Sequence, residues 1–247
     1  MRTRGAWLSQ IAYWCFYAAV IIEVGIVIID KSNYTNPIEG RLFQLTFLLF
    51  LVKVCLTGYT WKEYLCIFLF GVLGAVSYFV TGRNEIVRLV MFIAACKDID
   101  MKKCLKLVFW MTLTGCLVII GLSVTGIYGG ISLTQDYGRG AVETRYTLGM
   151  GHPNALQCMV WAMTVLGMYL YGVRMKWWHY LLILAVNIFF FGLTDSRTSL
   201  LATIYAIALV FIVTRSSNTW LKKIISWMCI ISSACRIGFS IFTDANS

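Results

Sequence analysis

The chain has 247 residues, of which 60% are hydrophobic and only 13% charged, and a net charge of +10; its mean hydropathy is +0.77. A soluble domain carries about 25% charged residues, so this composition excludes a water-soluble enzyme or binding module and marks an integral membrane protein. The positive balance follows from the excess of Lys and Arg on the inner side of membrane proteins and does not call for nucleic acid. Cys15, Cys55, Cys66, Cys116, Cys158, Cys229 and Cys235 sit inside apolar runs, which reads as small packing residues and not as a disulfide or zinc framework.

In chain order, the first apolar run extends from Trp7 to Ile29. It is longer than the roughly 7–15 apolar residues of a signal peptide and reads as a retained first helix. Further runs cover 42–59, 64–80, 105–128, 155–173, 177–193, 199–214 and 224–242, near the length of about 17–25 residues that a span needs. Segment 82–96 (GRNEIVRLVMFIAAC) is ambiguous, because only Leu89–Cys96 is cleanly apolar. Charge decides the matter. With nine spans and a cytoplasmic N-terminus, thirteen Lys and Arg fall on the inner side and eight on the outer; without 82–96 the tally inverts. The expected fold is therefore all-α, a single polytopic membrane domain over 1–247 with about nine transmembrane helices. Loop 129–154 and a second polar motif, 194–198, then face outward.

The residue types divide more sharply than the totals. The inner segments hold nine Lys and four Arg, and the outer ones one Lys and seven Arg. Arg is the side chain suited to forked recognition of phosphate, so the outer face is expected to handle an anionic, phosphate-bearing substrate.

Loop 129–151 contains Asp136, Arg139, Glu143 and Arg145, with glycines at 129, 130, 138, 140, 149 and 151. Arg139 and Arg145 are candidates to clamp a diphosphate. His152 is a candidate acid or base near neutral pH. The plainer reading is a connecting loop in which His152-Pro153-Asn154 starts the next helix. Thr194-Asp195-Ser196-Arg197-Thr198 reads either as a turn with an internal ion pair or, with Arg197 turned to the first motif, as the completion of a phosphate site. Arg88 and Arg236 lie in apolar stretches where snorkelling explains them. Glu23, inside the first span, calls for an Arg partner. His179 and Trp177-Trp178 mark an interfacial border and are assigned no chemistry.

Arg145-x-x-x-Gly149, His152-Pro-Asn154-Ala155 and Thr194-Asp-Ser-Arg197-Thr198, each followed by an apolar span, together resemble the O-antigen polymerase/ligase family (Wzy-type polysaccharide polymerases and related ligases). Ala155 stands where the family pattern has glycine. The resemblance covers roughly residues 140–215 in motif and the whole chain in hydropathy. It implies a glycosyltransferase on the outer face of the cytoplasmic membrane that transfers polyprenyl-diphosphate-linked oligosaccharides en bloc and releases the lipid diphosphate. No cofactor or metal is implied, since Arg side chains take over neutralisation of the leaving diphosphate. The implied catalytic set is His152, Arg145 and Arg197, with Arg139, Asn154, Asp195, Ser196 and Arg88 binding substrate. Membrane lipids, a flippase and a chain-length regulator are the implied partners, and nucleic acid is not one. Family members continue past the point where this chain ends, at Ser247, so a C-terminally truncated member or a fragment is expected.

Two other classes compete with this reading. A flippase or transporter for the same lipid-linked glycans would also want outward arginines, but with charges deep in several spans and commonly a repeat. A non-catalytic membrane subunit of a polysaccharide assembly system would need neither.

Overall fold

The computed structural model describes residues 2–82, 84–137, 140, 142–225, 227–228 and 231, and the side chains from Trp7 onward. The protein is mostly helical: α1 (Arg2–Asp30), α2 (Glu39–Cys55), α3 (Trp61–Thr81), α4 (Glu85–Ala95), α5 (Met101–Val124), α6 (Pro153–Tyr171), α7 (Trp177–Thr194) and α8 (Arg197–Arg215). A 3-10 turn (Gly172–Arg174) follows α6, and an antiparallel hairpin, β1 (Ser132–Asp136) with β2 (Val142–Tyr146), separates α5 from α6. The chain divides into two compact units, Met1–Met159 and Val160–Ser247.

Six helical stretches among the described residues are long and apolar enough to cross a membrane: Trp7–Asp30, Trp61–Thr81, Met101–Val124, Pro153–Arg174, Trp177–Thr194 and Arg197–Arg215. The other three expected spans differ. Helix α2 has 17 residues. Helix α4 has only 11 and at 1.5 Å per residue reaches about 16 Å, roughly half the hydrocarbon thickness. The segment expected at 224–242 lies largely outside the described residues, as do Arg83, Arg139 and Arg236.

The short α4 nevertheless returns the chain to the end of the first unit that α3 left. The Tyr59 hydroxyl, before α3, donates to the Ala94 carbonyl at 2.9 Å, the Lys53 ammonium donates to the Lys97 carbonyl at 3.0 Å, and Lys97 is paired with Glu63. The start of α3 and the ends of α2 and α4 thus share one end, together with the start of α5, where Cys104 packs with Phe16, Phe50 and Ala95. At the opposite end, Tyr34 after α1 meets Tyr128 after α5. Helices α1 to α5 therefore alternate between two ends. Local chemistry fixes several of their limits. Thr60 and Glu63 form a reciprocal capping box at the start of α3, and the Asp100 carboxylate caps α5 by accepting from the Lys102 and Lys103 amides.

In the first unit, the apolar packing of Phe16, Phe50 and Phe92 is overlain by one partly buried polar group. Arg88 donates to Glu23 at 2.8 Å, Thr46 donates to the other Glu23 oxygen at 2.6 Å, and the guanidinium lies 3.6 Å above the Phe43 ring. A lone charge in hydrocarbon is costly, so the pairing explains how α1 tolerates Glu23. In the second unit, Met168, Tyr180 and Ile207 form the core, and the Asn187 amide donates to Thr164 at 2.9 Å.

Candidate functional site

The hairpin is where the structure departs from an all-α reading, and it organises the first motif. Alternation along the strands puts Leu133, Gln135, Glu143 and Arg145 on the less exposed face, with Ser132, Thr134, Thr144 and Tyr146 on the exposed one. Thr134 and Thr144 bond across the exposed face at 2.8 Å. On the other face Arg145 is buried and sends both Nε and Nη2 to the same Glu143 oxygen, at 3.1 and 2.6 Å. These two residues are separated by one position in β2, so the pleat alone brings them together. The Arg145 guanidinium also lies 4.0 Å from the centre of the Tyr137 ring, an arrangement that holds its plane by cation–π attraction.

His152 joins the same cluster from the start of α6. Its ring meets Tyr137 edge-on with centroids 5.6 Å apart, and its Nε2 lies 3.3 Å from the Gln135 amide nitrogen. On the other side of the ring, Nδ1 accepts the Asn154 backbone N–H at 3.1 Å, while the His152 carbonyl accepts from Ala155 and Leu156. His152 is therefore a helix cap, with Pro153 in the first helical position, where a missing N–H is harmless. This has a chemical consequence. A neutral imidazole has one acceptor nitrogen, and here that is Nδ1, so the proton resides on Nε2. With Nε2–H as donor, its acceptor on Gln135 would be the side-chain oxygen, the other end of the amide whose nitrogen lies 3.3 Å away. The ring is arranged to donate a hydrogen bond towards the hairpin face, and acting as a base at Nε2 would require the cap bond to break.

The connection between β2 and α6 is pinned at many points. Asn33 N–H donates to the Gly149 carbonyl at 3.1 Å, Gly151 N–H to Lys31 at 2.9 Å, and Thr147 and Leu148 N–H both to Ile131. The Asn33 amide, with its nitrogen towards Met150 and its oxygen towards Gly130 N–H, spans both at 3.2 Å. Gly149 adopts φ +82, and a Cβ there would lie 2.9 Å from Ser123 Cβ and 3.0 Å from Ile119. The glycine of the Arg145-x-x-x-Gly149 element is thus required by backbone conformation and by close packing on α5. The hairpin is held on a rigid base.

The second motif has its own local logic. Asp195 ends α7 in the left-handed region at φ +49, which Asp tolerates better than most residues. Ser196 is buried and donates to Ser199 at 3.1 Å. Arg197 starts α8 and stands exposed, 3.7 Å from Asp195, a turn with an internal ion pair. Arg197, Asp195 and Ser196 belong to the second unit.

The structure therefore brings together Arg145 and His152, gives Glu143 a role as the Arg145 partner, and adds Gln135 and Tyr137, which the sequence reading did not single out. The signal was present in the alternation of Ser132-Leu-Thr-Gln-Asp136 and Val142-Glu-Thr-Arg-Tyr146. Arg88 is given to Glu23, Asn154 is exposed with its amide on His152, and Arg139 lies outside the described residues. Among the described residues no group of three His, Cys, Asp or Glu side chains is placed to hold a metal ion. No family model, no curated protein and no solved structure matches this chain.

Proposed function

We propose that the protein is a membrane glycosyltransferase that polymerises or ligates polyprenyl-diphosphate-linked oligosaccharide units on the outer face of the cytoplasmic membrane. The observation that carries this reading is the hairpin face: Gln135, Tyr137, Glu143, Arg145 and His152 in one connected cluster. An amide, a carboxylate, a guanidinium and an imidazole set around a phenol ring are donors and acceptors suited to a hydroxyl-rich ligand. Because Arg145 is already neutralised by Glu143, the pair can bind hydroxyl groups without a net charge. When a diphosphate arrives, Glu143 can yield the guanidinium fork to it. In this reading Nε2–H of His152 holds an acceptor hydroxyl or a phosphate oxygen in position, and the Arg145 guanidinium neutralises developing charge on the leaving diphosphate.

The same reading has nine spans, a cytoplasmic N-terminus and both motifs outside. Support comes from the alternation of α1 to α5, which keeps the lysine-rich segments around Lys53, Lys62, Lys97 and Lys102 at the end opposite the hairpin. A second reading, a transporter for lipid-linked glycans, is favoured by the partly buried Glu23–Arg88–Thr46 group that joins three helices. Deleting the gene and sizing the surface polysaccharide separates the two. A lost polymerase leaves single repeat units at the surface, and a lost transporter traps lipid-linked units inside. Unchanged polysaccharide rejects both.

A further inference from the structure

The end of the first unit away from the hairpin contains a cavity of about 630 Å³ lined by Ser9, Gln10, Tyr13, Lys53, Thr57 and Asp98, among others. Lys53 is 4% exposed. Its ammonium donates to Thr57 Oγ1 at 2.7 Å and to the Lys97 carbonyl at 3.0 Å, which leaves one of three donors, and among the described residues it has no carboxylate within ion-pair distance. A buried charge without a direct ion pair is unfavourable. Asp98 lies past the end of α4, is exposed, and is held at φ +59. The cavity thus has a buried cation and an exposed anion that attract each other without forming a direct ion pair.

We infer that this cavity binds the headgroup of a phospholipid carrying a phosphodiester and a primary ammonium, with the phosphate on Lys53 and the ammonium on Asp98. The depth of the two charges supports the assignment. In a bilayer the phosphodiester lies nearer the hydrocarbon and the amine farther out, and Lys53 is buried whereas Asp98 is exposed. Exposed Trp7, Trp61 and Tyr64 flank this end by chain position, as aromatic side chains do at headgroup level. The Gln10 amide and the Tyr13 phenol complete a polar wall that can bond the remaining phosphate oxygens. A singly anionic lipid would leave Asp98 facing a negative ligand. A quaternary ammonium would reach Asp98 without an N–H to give.

The test uses the full chain in detergent micelles or nanodiscs, with native mass spectrometry of retained lipid after titration with phosphatidylethanolamine, phosphatidylglycerol or phosphatidylcholine. Phosphatidylethanolamine should be retained in preference to the other two. Lys53→Met keeps the apolar volume and should weaken its retention at least about tenfold, as loss of a charge-assisted contact requires. Asp98→Asn changes an exposed side chain, so it does not depend on Lys53 variants folding, and it should abolish the preference over phosphatidylglycerol. If Lys53→Met lowers stability while the lipid ratios stay as in the wild type, Lys53 only caps α4 and the inference is overturned. Unchanged selectivity in Asp98→Asn overturns it too, and so does equal binding of soluble phosphoethanolamine, which would mark a site for a free metabolite.

Discussion

Gly149→Ala offers the sharpest structural test, because two separable penalties meet at one position. The first is conformational: at φ +82 an alanine costs about 1–2 kcal/mol relative to glycine. The second is steric. The new methyl would lie 2.9 Å from Ser123 Cβ and 3.0 Å from the Ile119 side chain and carbonyl, and overpacking of this kind costs about 1–3 kcal/mol. Together they give roughly 2–5 kcal/mol. Gly126→Ala isolates the first term, since Gly126 has φ +71 with nothing within 4 Å of a Cβ. At about 2–4 °C per kcal/mol for a chain of this size, thermal unfolding of purified protein should fall by roughly 4–20 °C for Gly149→Ala and roughly 2–8 °C for Gly126→Ala. Equal shifts would refute the packing argument.

His152→Asn should keep α6 capped, because an Asn oxygen accepts the same N–H, with stability within about 0.5 kcal/mol of the wild type; glycan extension should still be lost, since Asn does not reproduce the Nε2–H donor at the hairpin. Retained extension in that variant would reduce His152 to a helix cap. Arg145→Lys keeps the charge but loses the two-pronged donor and the stacking on Tyr137, so extension should fall at least about tenfold, as should extension in Arg197→Lys; full activity in both would make them surface charges. Arg88→Gln should cost about 1.5–3 kcal/mol by leaving the partly buried Glu23 without its charged partner, and Glu23→Gln in the same chain should recover part of that loss; additive losses in unfolding measurements would mean that the two do not interact.

The helices were legible because their apolar runs are long. The runs read at 177–193 and 199–214 differ from α7 and α8 by two residues or fewer at either end. Helix α4 was legible only through the charge count that placed a span at 82–96, because its first turn carries Glu85 and Arg88, and the setting of Arg88 depends on Glu23 and, through it, Thr46 from other helices. Periodicity does not encode such a partner, although Glu23 signalled that one was required. The hairpin was missed for a different reason. Its strands are five residues long and polar on one face, so a Gly-rich polar stretch reads first as a loop. The cap role of His152 was visible in His152-Pro153, whereas the tautomer it imposes depends on the Asn154 N–H, which only the backbone geometry reveals.

Reconstitution measures the central claim most directly. Purified protein in proteoliposomes is supplied with polyprenyl-diphosphate-linked oligosaccharide extracted from a strain lacking the gene. The account predicts a ladder of glycans in multiples of the repeat unit, or transfer to an added acceptor, with one polyprenyl diphosphate released per bond formed. Movement of intact lipid-linked units across the bilayer without any ladder, transfer or released diphosphate would contradict it.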